Sequence, residues 1–278
     1  MRASVIVAVV IGTSLALGGC TAPDPGLSPE PSPPSESPHT ESLAVDVSFA
    51  HSQPTELTLI SESHTLTLSG GDPALDAVLG QLVSGELHPV DPDYTNLWEA
   101  GAVVSTRRSG DLLTVDLTRV TMTVGAEAEG IALAQLVWTA VAIDPSIAAV
   151  QLTIDGTVVD TLAGHADISA PVRASAPESV LTPVQIAAPA EGARVMSPVT
   201  AIGVACVFEA TVHWRLDGPE GAVRQGSTMA AEACPARAEW RLELGDLPPG
   251  DYLLTVSEIS PMDGSVSTSD SKAFTVAL

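Results

Sequence analysis

The residues able to do chemistry in this chain are few and far apart. The cysteines are Cys20, Cys206 and Cys234, and the histidines are His39, His51, His64, His88, His165 and His213. No two histidines stand at ligand spacing, and a zinc site needs more Cys, His or carboxylate ligands than any stretch here offers. Asp91-Pro92-Asp93 with Asn96 presents oxygens of the kind calcium takes, but the full calcium-loop pattern is missing and an ordinary Asp/Pro turn accounts for it. Glu127 and Glu129 are spaced as a pair that could act as acid and base, and the first turn of a helix, where carboxylates complement the dipole, explains them without catalysis. Arg107-Arg108 is the one local basic pair, read either as a solvated turn or as a contact for an acidic partner. The sequence contains no Gly-x-Ser-x-Gly, His-Glu-x-x-His, phosphate-binding Gly-rich loop or Cys-x-x-Cys. No catalytic residue, no metal site and no cofactor is expected, and the binding residues are left unassigned.

Composition narrows the classes further. The 278 residues carry 34 acidic and 11 basic side chains, a formal charge of −23. That excess disfavours nucleic acid, whose affinity rests on Lys and Arg against phosphate, and a polybasic grip on anionic lipid. Apolar residues make up 45% of the chain, enough to bury a core over most of its length, whereas the 3% of aromatics disfavours stacking platforms for sugars or single strands. The length suggests two domains. Lys272 is the only lysine among many arginines, and with the abundant Ala this fits a GC-rich, actinobacterial genome.

The context of Cys20 sets the compartment. Met1-Arg2 is followed by an apolar run from Val5 to Leu17, too short to span a bilayer and of signal-peptide length. The run ends in Leu17-Gly18-Gly19-Cys20, which resembles the lipobox of bacterial lipoproteins. The resemblance implies that Cys20 receives a diacylglyceryl group, that residues 1–19 are removed as a signal peptide, and that lipid on Cys20 holds the chain on the outer face of the cytoplasmic membrane. Residues 20–42 are rich in Pro, Ser and Glu, with Pro29, Pro31, Pro33, Pro34 and Pro38 at short intervals. Such a segment reads as a disordered, extended tether reaching up to roughly 60 Å at about 3.1 Å per residue. It is either a spacer through the inner wall zone or a linker under no length constraint.

Residues 43–172 read as an α+β domain. Ala44–Phe49, Glu56–Ile60 and His64–Leu68 alternate as strands. Asp72-Pro73 opens a helix whose Leu75, Val78, Leu79 and Leu82 form one stripe, with Gly85 as the stop. Ala102–Ser105 and Leu112–Leu117 form a strand pair turned at Ser109-Gly110-Asp111. A well-buried helix runs from about Glu127 to Ala142. Val150–Ile154 is a strand that turns at Asp155-Gly156 into Val158-Val159. The expectation is a mixed sheet with two helices packed on it. The ordered set of the Leu-striped helix, Gly110–Leu117, Ala132–Thr139 and Val150–Gly156 resembles the GerMN domain of bacterial sporulation and germination proteins and actinobacterial lipoproteins. That resemblance implies assembly between proteins and supplies no catalytic residues.

Residues 183–278 read as an all-β sandwich. The candidate strands are Val184–Ala187, Val199–Cys206, Thr211–Leu216, Ala222–Met229, Glu239–Leu244, Asp251–Ile259 and Lys272–Ala277, with Trp214 and Trp240 pointing inward. Ala188–Val195 with Ser197-Pro198-Val199, Phe208–Val212, Leu247–Tyr252 and Glu258–Ser265 are similar to the immunoglobulin-like domain that accompanies GerMN in spore-germination proteins. Glu209 belongs to that pattern and is read as structural. With Cys20 assigned to lipid, Cys206 and Cys234 remain as a pair. Outside the cytoplasm such a pair usually oxidises to a disulfide, and two reduced, buried thiols are the other reading.

These readings converge on a non-catalytic, membrane-anchored lipoprotein that binds an envelope protein or a second copy of itself. The alternative is an extracytoplasmic lipoprotein that presents a wall fragment or small solute to a transporter or sensor. A wall hydrolase built from dispersed carboxylates is a third.

Overall fold

Alternating apolar residues lay down the first half of the molecule as two strand layers with helices against them. The computed structural model describes residues 40–69, 73–221 and 223–277. Leu17, Gly18, Gly19 and Cys20, most of the 20–42 segment, and Asp72 lie outside them. Strand β1 (Thr40–Ser52) pairs antiparallel with β2 (Leu57–Ser69) over its whole length. Glu56–Ile60 and His64–Leu68, separate in the sequence reading, thus form one continuous strand. The polar residues between them do not break it, because only one face of β2 needs to be buried. Helix α1 (Ala74–Val83) buries Val78, Leu79, Leu82 and Val83. Pro73, expected as the first helical residue, stands instead at the N-cap, one position before Ala74. At the other end Gly85 (φ +77°) is required, since a Cβ there would lie 2.9 Å from the carbonyl oxygen of Glu99.

A short β3 (Tyr94–Thr95), hidden in the polar stretch, pairs with β1 and makes a three-stranded sheet in the order β2-β1-β3. Next come β4 (Ala100–Ser109) and β5 (Leu112–Thr121), helix α2 (Ala126–Ile143), and β6 (Ala149–Ile154), which runs parallel to β5. The β5–α2–β6 crossover is what a parallel pair demands. These strands form a second three-stranded sheet, β4-β5-β6. The α+β character is as expected, but the strands divide between two sheets. They share one core with both helices, centred on Phe49, Ile60, Leu79, Leu82, Leu113, Leu117, Leu136 and Leu152. At 18 residues, α2 is long and apolar enough to cross a bilayer, yet it packs on β1, β2 and α1 as the core helix of this half. After β6 no Val158-Val159 strand forms. Asp155 (φ 50°) and Gly156 (φ 76°) make the tight turn, which closes on a single bridge between Ile154 and Thr157.

The second half is all β, apart from short 3-10 turns. Strands β7 (Val184–Ala188), β8 (Ala193–Val195), β9 (Val199–Ala205), β10 (Thr211–Asp217), β11 (Val223–Met229), β12 (Ala238–Gly245), β13 (Gly250–Ile259) and β14 (Val266–Val276) form two sheets. One runs β11-β10-β13-β14-β8 and the other β12-β9-β7. Trp240 is fully inside the sandwich, whereas Trp214 is only partly buried, seated over Gly226 of β11. Gly226 lies directly opposite Trp214 in the ladder, and the missing side chain leaves room for the ring. Tyr252 stacks on Phe274 at 5.6 Å and donates its hydroxyl to the Pro248 carbonyl. Strand β11 is the outermost of its sheet, and Val223 to Ser227 are exposed along it.

Cys206 and Cys234 are disulfide-bonded, with Cα atoms 4.4 Å apart at a sequence separation of 28. Closing a loop of that size restricts the unfolded chain, so Cys206→Ala/Cys234→Ala should lose about 3 kcal/mol. Urea unfolding of the oxidised chain against the double variant checks it.

Candidate functional site: the junction of the two halves

The two halves form one compact unit with a polar, buried junction. Backbone ties start it: Leu59 N–H donates to the Val180 carbonyl, and Thr182 N–H donates to the Leu59 carbonyl, each at 2.7 Å. Thr58 and Thr182 share a hydroxyl–hydroxyl bond of 2.6 Å. Gln53 bridges to β14 in both directions, donating to the Ser269 carbonyl at 3.1 Å and accepting from Ser269 N–H at 3.0 Å. Gln185 donates to the Ser61 carbonyl at 2.7 Å.

The centre is an ionic cluster. On β14 the inward positions are Thr268, Asp270, Lys272, Phe274 and Val276. The last two fill the sandwich core, while Asp270 and Lys272 meet the loop before β3. Lys272 Nζ contacts Asp91 Oδ2 and the Tyr94 hydroxyl, and lies 3.4 Å from Asp270 Oδ1. Tyr94 donates to Asp270 Oδ1 at 2.8 Å, and Ile186 N–H donates to Asp270 Oδ2 at 2.7 Å. Ser271 donates to Asp93 at 2.8 Å. Burial, with the Lys272 ammonium opposing it, holds the Asp270 carboxyl above its ordinary value. Burial, with the Asp270 carboxylate next, likewise raises the Tyr94 phenol, which stays protonated and donating. Desolvation lowers the His51 imidazole, packed edge-on against Tyr94 at 5.2 Å, so that it is neutral at neutral pH. Beside the cluster Glu62 accepts Val90 N–H and Asp91 N–H at 2.8 and 2.9 Å and orients the loop. A cleft of about 400 Å³ opens above it, with Asp46, Glu62 and Glu191 on its walls.

Asp91 and Asp93 are therefore the docking residues of the first half. Asp91 Oδ1 also closes the turn by accepting Asp93 N–H at 2.8 Å. Asn96 holds the loop to the helices, donating to the Leu82 and Leu87 carbonyls and accepting from Gln135 of α2. Among the described residues there is no cluster of His, Cys, Asp and Glu that could hold a metal ion.

The carboxylates at the start of α2 act separately. Glu127 accepts Leu57 N–H at 3.0 Å. Glu129 is completely buried and latches the loop after β6, accepting from the N–H groups of Ala163, His165 and Ala166 and from the His165 ring at 2.8–3.0 Å. Burial alone would raise its pKa, but these donors outweigh it and hold the carboxyl at about 2. A depressed carboxyl stabilises the fold above its unfolded value of 4.5, and the benefit disappears as pH falls through about 2. Glu129→Gln should therefore cost about 2 kcal/mol at neutral pH, with the gap to wild type closing in acid. Paired urea titrations at neutral and strongly acidic pH would show it.

Both residues of the basic pair are exposed; Arg108 pairs with Asp144 and donates to Ser146 at 2.7 Å across the surface of its own chain. Glu209 sits in the left-handed region (φ 51°), as does Ala210 (φ 57°), in an exposed turn next to Cys206, and its side chain faces solvent.

Residues 183–265 match the family model described as the immunoglobulin-like domain of bacterial spore germination, which defines the class of the second half. Residues 48–160 match the model described as sporulation and spore germination. The chain thus carries a GerMN-type domain followed by the germination-type immunoglobulin-like domain. The tandem GerMN domains of the sporulation protein GerM from Bacillus subtilis align at 14% identity and a TM-score of 0.38, over 48% of this chain and 46% of that one. The first GerMN domain of the same protein aligns at 19% identity and 0.37, over 47% and 97%. A Clostridium perfringens protein described provisionally as a lipoprotein aligns at 20% identity and 0.33, over 48% and 87%. This chain therefore spans less than half of the tandem GerM structure. No curated protein matches it.

Proposed function

We propose that this is a non-catalytic lipoprotein, held outside the cytoplasmic membrane by lipid on Cys20, whose two joined domains bind an envelope protein or a second copy of the chain. The observation that carries the reading is β11. It is a seven-residue edge strand with one side unpaired among the described residues, exposed along most of its length, and ending in exposed Val223 and Met229. Such an edge is a template for an added strand from a partner. The lipobox-like Leu17-Gly18-Gly19-Cys20 supports the anchor, and a disulfide supports an oxidising compartment. The strong negative charge favours a partner with basic residues facing these domains.

Because Lys272 is buried, cross-linking in intact cells must use carboxylate chemistry or photo-reactive residues placed on β11. Links from β11 to one defined envelope protein or to itself, lost in Cys20→Ser, are the expected result. A membrane-bound protein that gives no protein links overturns it. That outcome would favour the ligand-presenting alternative, for which a cavity of about 510 Å³ between Pro219, Arg224, Leu247, Pro248 and Tyr252 is the candidate pocket. A thermal-shift screen of muropeptides and sugars would then follow.

A further inference from the structure

The only lysine of the chain is fixed inside the protein against two acids. Lys272 is 5% exposed, and Asp91 and Asp270 are each 1% exposed. The two acids are not equivalent. Asp270 is pinned at both oxygens, by Tyr94 and by Ile186 N–H. It also stands two residues from Lys272 on the same face of β14, and both are paired to β13, opposite Val256 and Leu254. A bond between them would close a tight ring across a ladder that leaves no slack. Asp91 comes from the other domain, with Oδ1 fixed by Asp93 N–H and Oδ2 presented to Nζ. We infer that Lys272 and Asp91 condense to an intramolecular isopeptide bond that joins the GerMN-type domain covalently to the immunoglobulin-like domain.

The step needs no outside reagent. The amine nitrogen attacks Asp91 Cγ, the new C–N bond forms, and the bond from Cγ to Oδ2 breaks, so that oxygen leaves as water. Ammonium plus carboxylate and amide plus water have the same atoms and the same net charge, and nothing is oxidised or reduced. Nζ gives up two protons, one before the attack and one after it, and Asp270 relays both in turn to the departing oxygen, which leaves as water. Tyr94 keeps Asp270 in place and touches the amine. In water the hydrated ion pair is the stable form. In the interior both ions have lost their hydration, and condensation removes the two charges together.

The test is the mass of the natural full-length protein, measured on its proteolytic peptides. The expected result is a cross-linked species, lighter by one water than the sum of its parts, joining the peptide that contains Lys272 to the one that contains Asp91. Trypsin should leave the Lys272-Ala273 bond intact. Lys272→Arg and Asp91→Ala should each restore the separate peptides, and Asp270→Ala should leave most of the chain uncondensed. Separate, unmodified peptides from the folded wild type overturn the proposal. So does a missing water that persists in Lys272→Arg, which would put the dehydration elsewhere. The wild-type measurement decides the matter even if a variant fails to fold.

Discussion

Measured against the uncondensed, ion-paired chain, Lys272→Met should lower stability by about 3–5 kcal/mol, through what it leaves behind rather than through what it removes. Asp91 and Asp270 remain buried, and among the described residues no other lysine or arginine forms an ion pair with either of them. An uncompensated carboxylate in an interior costs far more than a surface ion pair contributes. The substitution itself keeps most of the length and the unbranched apolar stem of the side chain, so packing in β14 is little disturbed. Two further readings separate this mechanism from a general core defect. Burial already raises the Asp270 carboxyl, so acidification protonates it readily and the deficit of Lys272→Met should narrow as pH falls. Removing all the charges together, in Lys272→Met/Asp91→Asn/Asp270→Asn, should recover much of the loss. Differential scanning calorimetry should also show the single transition of the wild type splitting in Lys272→Met, because the cluster lies between the halves. A deficit that is independent of pH and not relieved by neutralising the acids would contradict the assignment.

Gly203→Ala should cost about 4 kcal/mol, for a steric reason. A Cβ at this position of β9 would stand 2.0 Å from the Gln185 carbonyl oxygen and 2.5 Å from the Trp240 ring. Gly203 pairs with Ile186 of β7 on one side and with Trp240 of β12 on the other. Neither neighbour is free to give way. The Gln185 carbonyl belongs to the strand backbone, and the Trp240 indole is 2% exposed at the centre of the sandwich. Relief would need the central strand of the smaller sheet to separate from β7, and β7 also supplies the N–H that fixes Asp270. Thermal unfolding of Gly203→Ala, beside Gly226→Ala as a milder control, checks it. In the control the nearest approach is 3.0 Å to the edge of the partly buried Trp214 ring, so the loss there should be smaller.

Where burial follows from local periodicity, the sequence was readable. Val78, Leu79 and Leu82 mark the buried face of α1, and the inward residues of β5 and β12 alternate as a half-buried strand must. Strands with little apolar content were not readable in this way. Tyr94–Thr95 is strand because β1 offers it an edge, and Val158-Val159 is not strand although its composition favours one, because no neighbour pairs with it. The junction was the least legible part. Asp91 and Asp93 look like turn residues, and they are turn residues. Their second role depends on Lys272 and Ser271, about 180 positions away. One signal was present: inward-facing β14 alternates Asp270, Lys272, Phe274 and Val276, and charges on the buried face of a strand call for a partner that the strand's own sheet does not contain. In the sequence Glu129 shows only as a first-turn carboxylate or half of an acid–base pair with Glu127, since its partners lie in a loop with no periodicity at all.

A junction of hydrogen bonds and ion pairs is directional, unlike a greasy contact that tolerates sliding. The free edge of β11 and the outer edge of the β4-β5-β6 sheet are therefore carried at one set separation and angle. For any partner that touches both, the second contact is made at a high effective concentration and without a further loss of orientational freedom. Two weak strand-edge contacts can then act as one strong one, and a partner array with the wrong spacing gains nothing from the second edge.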